Sequence, residues 1–368
     1  MKVLVVFGTR PEAIKMCPLV LALKRKSNIE TKVCVTGQHR EMLDQVLEIF
    51  HVVPEYDLAI MKPRQTLETI TTAVLENIGS VIDAERPDVV LVHGDTTTSM
   101  ASALAAFYKQ VPVGHVEAGL RTYNIYSPFP EEMNRKLITA LTTFFFAPTE
   151  GNRRALEKES VVENVFVTGN TVIDAFQYTT SDGYQFKNKH FANHDFSNPT
   201  ILMTAHRREN FGQPLKNICD AVLELCRRHP DLRFVYPVHL NPVVRDTVFA
   251  KLGNNPQVTL TDPVDVQDMH NAMARSVLVL TDSGGLQEEA PHLGKPVIVL
   301  RTETERPEAV EAGTAVVAGV ERDTIVRITD NLLTDPAAYN KMATAINPYG
   351  DGHASDRIVE ILLNCFRQ

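Results

Sequence analysis

The chain has no apolar run close to the roughly 20 residues that a membrane-spanning helix requires, so no membrane association is expected. It also lacks a basic surplus, its formal net charge being −8 at pH 7. Nucleic-acid binding needs a basic face that displaces counterions from phosphates, and that class is set aside; a local positive pocket for a small anion is not. Neither CxxC nor any other metal-type spacing occurs among Cys17, Cys34, Cys219, Cys226 and Cys365. Odd in number and scattered, they read as reduced, mostly buried thiols of a cytosolic protein. HxH and HExxH are missing too, so no metal is assigned. GxGxxG is absent, which removes the indication for a nicotinamide cofactor, and no cofactor is expected. The first strand-like run, VLVVF, begins at Val3, leaving no room for a signal peptide. The expected location is the cytoplasm.

What is present is a repeated device: an apolar run, a short polar cluster, then a helical pattern. It recurs at Val3–Glu12, Val89–Ser99, Val111–Arg121, Ile201–Asn210, Phe234–Pro242 and Val277–Glu289. Strands alternating with helices signify an α/β fold with parallel sheets. At 368 residues the chain exceeds one typical core, so two Rossmann-like domains are expected. The first takes residues 1–170 and the C-terminal helix at 353–368; the second takes 171–352. The polar, turn-rich stretch Thr179–Asn198 is the best candidate for a long surface or interdomain segment. In open parallel sheets, ligands bind beyond the carboxyl ends of strands, at the switch in topology.

Several chemistry-bearing residues fall at such ends. Thr281-Asp-Ser-Gly-Gly runs from strand into helix, and Ser283, Gly284 and Gly285 suit a diphosphate, because glycines admit close approach and helix-start amides attract anions. Glu289, one turn on, could hold ribose hydroxyls while Glu288 faces elsewhere; the plain alternative is a tight turn with a solvated acidic helix start. In the first half, Arg10 and Lys15 follow a strand and could meet phosphate oxygens, or Arg10 could pair with Glu12. Asp95 could cap a helix or face the cleft. Glu117 ends a strand and has no capping duty, so chemistry is the better reading. Of Glu131 and Glu132, one is expected to serve only the helix dipole. Carboxyl groups in unlike environments can divide acid and base roles. His206 and His239 each end a strand, where an imidazole can protonate a leaving phosphate. His51, His190, His194 and His229 read as surface residues.

The segments GTRPEAIKM, QHREMLDQVL, VHGDTTT, VGHVEAGLRT, SPFPEEMNR, TAHRREN, YPVHLNPVVR, LTDSGGLQEEAP and NPYGDG together resemble the bacterial non-hydrolysing UDP-N-acetylglucosamine 2-epimerases. The resemblance runs from the first strand to the last helix. It implies a glycosyltransferase-B-like fold, two Rossmann-like domains facing across a cleft with the C-terminal helix crossing back, and usually a homodimer. It implies interconversion of UDP-N-acetylglucosamine and UDP-N-acetylmannosamine through elimination of UDP to 2-acetamidoglucal and its re-addition. Asp95, Glu117 and Glu131 would carry the acid–base and electrostatic work, and His206 would assist the departing diphosphate. Arg10, Lys15, Ser283, Gly284, Gly285, Glu289 and Arg306 would hold the nucleotide. Met269 stands where some relatives have phenylalanine against the uracil, and Thr302 and Glu303 depart from the usual RDTTER. Positions matching an activator site for a second substrate molecule are Gln38, Arg64, Glu131, Arg207 and His239, with Glu41 where some relatives have glutamine. Competing readings are a UDP-sugar glycosyltransferase, a hydrolysing epimerase releasing N-acetylmannosamine, and a nucleotide-sugar sensor.

Overall fold

The structure, a computed structural model, describes residues 1–37, 40–60 and 65–366, with the backbone alone at Arg40 and Glu41. The chain divides into two compact units, Met1–Tyr178 with Tyr349–Gln368, and Thr179–Pro348.

In the first unit, β1 (Lys2–Phe7), β2 (Glu30–Val35), β3 (Tyr56–Asp57), β4 (Val89–His93), β5 (Val113–Val116), β6 (Phe144–Ala147) and β7 (Val165–Val167) form one parallel sheet. Their order is β3-β2-β1-β4-β5-β6-β7. Side chains alternate between the faces of a strand, and both faces here are covered. Val3, Val5 and Phe7 enter one core with Met16 and Leu19, while Leu4 and Val6 enter another with Val74 and Ile78. That double burial is why β1 is apolar without interruption. The helix Ala354–Cys365 closes the first core with Ile358, Val359, Leu362 and Leu363. Asp174 holds its start, its carboxylate accepting from the amides of Ala354 at 3.1 Å and Ser355 at 2.6 Å. Burial raises the pKa of this carboxyl against those hydrogen bonds. Ala175 joins the same core and Tyr178 packs on it, so the first unit runs past the expected 170 to Tyr178 and resumes at Tyr349 rather than 353.

In the second unit, β8 (Thr200–Thr204), β9 (Arg233–Pro237), β10 (Val258–Thr261), β11 (Leu278–Thr281), β12 (Val297–Val299) and β13 (Ala315–Val317) are parallel in the order β10-β9-β8-β11-β12-β13. Ile201, Met203, Phe234, Tyr236, Leu278 and Leu280 build its core.

The polar stretch Thr179–Asn198 is not a free connector. Asp268 accepts from the Tyr184 hydroxyl and the Lys187 amide, both at 3.0 Å, and from the Asn188 amide at 2.8 Å. Arg275 lies over the Phe186 ring at 4.6 Å, and Phe191 is fully buried. His194 is likewise half-buried rather than on the surface, its ring bonded to the hydroxyls of Thr259 and Thr200. Among the described residues no helix is long and apolar enough to cross a membrane.

Candidate functional site

Two switch points follow from the strand orders. Around β1 and β4 in the first unit, and around β8 and β11 in the second, successive connections leave in opposite directions, opening a crevice beyond the strand ends.

In the first unit, Thr9 caps the helix Arg10–Lys24 through a reciprocal pair with Glu12. Glu12 is buried and also accepts from the hydroxyls of Thr96 at 2.8 Å and Ser99 at 2.9 Å, so it is spent on locking the turns after β1 and β4. Arg10 opens that helix, half-buried. Asp95 is not the cap of the helix Thr97–Tyr108; Thr96 takes that place through its hydroxyl. The Asp95 carboxylate instead meets Arg135 at 2.5 Å, while its carbonyl accepts from Asn134 at 2.8 Å. Both partners lie on the helix Glu131–Leu141, so Asp95 is drawn to the helix whose first residue is Glu131. Residues four apart share a helix face, which puts Glu131 over Arg135. Glu132, fully buried, accepts from the amides of Thr122 and Tyr123 at 3.0 Å and from Arg135 at 2.9 Å. It is the structural member of the acidic pair.

Glu117 follows β5 with φ of 68°, a left-handed conformation that is unusual for a residue with a side chain. Only 12% of its side chain is exposed. Oε2 accepts from the Lys15 ammonium and from Asn170 Nδ2 at 2.9 Å, and lies 3.7 Å from His93 Nε2. Burial works to raise the Glu117 pKa; the Lys15 ammonium and His93 outweigh it and hold the carboxyl well below the usual carboxylate range. Lys15 is the counter-charge of a buried carboxylate. Next to this pair, burial pushes His115 down to about 3 against the hydrogen bond to the Gly94 carbonyl at 2.7 Å, so its ring is neutral near pH 7.

In the second unit, His206 and Arg207 follow β8, and Asp282 follows β11. The His206 ring is 37% exposed, stands with Nδ1 3.2 Å from Asp282 Oδ1, and stacks on His239 with centroids 5.6 Å apart at 14°. Burial pushes the Asp282 pKa up, but His206 and the amides of Arg207 and His206 more than offset it and leave it lowered. Ser283 precedes the short helix Gly284–Glu289, its amide donating to the Thr281 hydroxyl at 2.9 Å. A Cβ built on Gly284 would lie 3.8 Å from the Arg306 guanidinium and 4.0 Å from that of Arg207. Two cations and an uncluttered backbone thus share one turn. Glu288 is buried and holds the Arg306 guanidinium. Glu289 stands 3.3 Å from His270 Nε2, whose Nδ1 is 2.6 Å from the Thr179 hydroxyl. Met269 precedes His270, half-buried. Gln38 and Arg64 lie outside the described residues, as does the side chain of Glu41. Among the described residues no group of three or more His, Cys, Asp or Glu side chains could hold a metal ion.

The family model described as UDP-N-acetylglucosamine 2-epimerase matches residues 21–363. The chain belongs to that family. A Bacillus subtilis relative bearing the family name is 54% identical over 99% of this chain and 95% of its own. A solved Neisseria meningitidis family member bound to UDP-GlcNAc is 51% identical, with a TM-score of 0.90 over 99% of this chain and all of that one. A rhamnosyltransferase, 15% identical with a TM-score of 0.59, shares the glycosyltransferase-B-like fold alone.

Four residues of the two clusters escaped the sequence reading. Arg135, Asn170 and Asp282 have partners 40, 53 and 76 positions away, and nothing local marks them. His93 had a signal: it closes β4, and His206 and His239 come two residues after β8 and β9. It is buried, and among the described residues neither ring nitrogen has a hydrogen-bond partner.

Proposed function

We propose that this chain interconverts UDP-N-acetylglucosamine and UDP-N-acetylmannosamine at C2, without hydrolysis and without metal or nicotinamide. The observation that carries the reading is the division of labour between the switch points. The first unit concentrates Asp95, Glu117 and Glu131 with Arg135 and Lys15, whereas the second concentrates His206, Arg207 and Arg306 about the Gly284–Gly285 turn. A carboxylate cluster suits a sugar carbon that develops positive charge; a cationic, glycine-lined turn suits a diphosphate.

The C2 hydrogen has no ring carbonyl beside it and cannot leave as a proton alone. The C1–oxygen bond breaks first, with its electron pair leaving on UDP and positive charge developing at C1. A first-unit carboxylate then takes the C2 proton, and the C1–C2 double bond of 2-acetamidoglucal forms. His206 gives a proton to the departing diphosphate. Re-addition of UDP with protonation of C2 from the opposite side completes the inversion. Glu117, held anionic by Lys15, serves electrostatic stabilisation more readily than proton donation.

Incubation with UDP-N-acetylglucosamine in heavy water, without an acceptor, tests this. Deuterium at C2 with UDP still attached is expected. Free N-acetylmannosamine would mean a hydrolysing enzyme, and sugar transfer only upon adding an acceptor would mean a transferase. Activation by a second substrate molecule at Gln38, Glu41, Arg64, Glu131, Arg207 and His239 belongs to the same proposal. UDP-N-acetylmannosamine supplied alone should then react after a lag that a trace of UDP-N-acetylglucosamine abolishes; a lag-free progress curve removes the activation.

A further inference from the structure

We infer that Asp282 is a positioning residue for His206: it keeps one ring proton on Nδ1 and favours the imidazolium, so that Nε2 presents the second, transferable proton to the diphosphate. The inference rests on the epimerase reading for the role of His206. The Asp282 side chain is fully buried, and a carboxylate withdrawn from water persists only when its lone pairs are filled. Oδ2 is filled by three donors, the amides of His206 at 2.7 Å and Arg207 at 2.8 Å and Asn210 Nδ2 at 3.0 Å. Oδ1 takes none of these. It accepts no hydrogen bond among the described residues, and the nearest charged partner given for it is His206 Nδ1, 3.2 Å away. An anion on that edge demands a proton on Nδ1. The ring face is settled separately by the stack on His239. Asp282 also begins the turn that leads to Ser283 and Gly284, and the strands beneath are joined by the Thr204–Thr281 hydroxyl contact at 2.6 Å. One carboxylate therefore places both the imidazole and the glycine turn.

A purely structural Asp282 would act alike with or without His206, and this separates the readings. Asp282→Asn keeps an oxygen, which the three converging donors claim. Its NH2 then faces His206 Nδ1, which must accept and can hold no proton; the ring stays neutral with its single proton on Nε2, and a neutral imidazole is a far weaker acid than the imidazolium. C2 exchange should fall by about 10²-fold, the scale of a lost general acid, with UDP affinity within about threefold of wild type and the ring 15N shifts of His206 reporting the Nε2–H tautomer. Adding Asp282→Asn to His206→Asn should cost less than about twofold more, since residues acting as a unit are not additive. Losses that multiply in the double variant, or an unchanged His206 tautomer in Asp282→Asn, overturn the inference. Should that variant not fold, the wild-type tautomer decides: Nδ1–H upholds the assignment and Nε2–H ends it. Failure of the wild type to exchange its C2 hydrogen would sink the epimerase reading, leaving the tautomer measurement to judge Asp282 alone.

Discussion

Replacing Lys15 by Met removes the cation that faces Glu117 and leaves a carboxylate with 12% of its side chain exposed. Two unit charges about 4 Å apart at an effective dielectric near 20 interact by about 4 kcal/mol, equivalent to about 3 pKa units. Asn170 stays, so the Glu117 pKa should climb from well below its ordinary value to above it, burial being left as the largest influence. The sign follows from linkage. In the wild type the lowered pKa contributes stability above the unfolded value of about 4.3, lost as pH falls through the folded value. In Lys15→Met the folded value is raised, so a penalty grows as pH rises past that same unfolded value. Relief from burying the Lys15 ammonium offsets part of the ~4 kcal/mol, so the variant should be about 2–3 kcal/mol less stable than wild type at pH 8, with the deficit shrinking as pH falls. The chain has no tryptophan, so urea unfolding should be followed by far-UV circular dichroism. Glu117→Gln in the Lys15→Met background should restore most of the loss at pH 8. A deficit independent of pH, or one that Glu117→Gln deepens, refutes the electrostatic account.

Asp95→Asn weakens the pair with Arg135 while keeping the side chain's shape. It should lower C2 exchange by about 10²–10⁴-fold, with calorimetric affinity for UDP nearly unchanged; full turnover would remove Asp95 from the chemistry. Gly119→Ala places a Cβ 2.3 Å from the Asn152 carbonyl oxygen at a φ of +92°. Backbone cannot rotate aside, so about 3 kcal/mol or more of stability should go, and an unchanged melting temperature would contradict the geometry. Asp174→Ala leaves the Ala354 and Ser355 amides without their acceptor and should cost about 2 kcal/mol; hydrogen exchange there should quicken before it does elsewhere in the first unit.

The parallel sheets were legible because strands buried on both faces must be apolar throughout, and the clusters at their ends were legible because only there does a polar triplet interrupt such a run. Shorter strands were not. Tyr56–Asp57 and Ala315–Val317 carry too few residues to show a period, and pairing with neighbours defines them. Which of Glu131 and Glu132 is structural depended on where residues 122 and 123 return. The stretch Thr179–Asn198 looked like a connector because its partners, Asp268 and Arg275, come about 80 to 90 residues later in the chain. Composition can register polarity; it cannot register that the polarity is answered.

The first unit draws its core from two separated stretches, with the helix Ala354–Cys365 sealing a surface laid down by β1. On a ribosome, that surface waits uncovered until the helix Ala354–Cys365 emerges, whereas the second unit has everything it needs earlier. The portion made first is thus the portion finished last, and a nascent chain halted before Ala354 would display an open apolar seam to chaperones and to its neighbours.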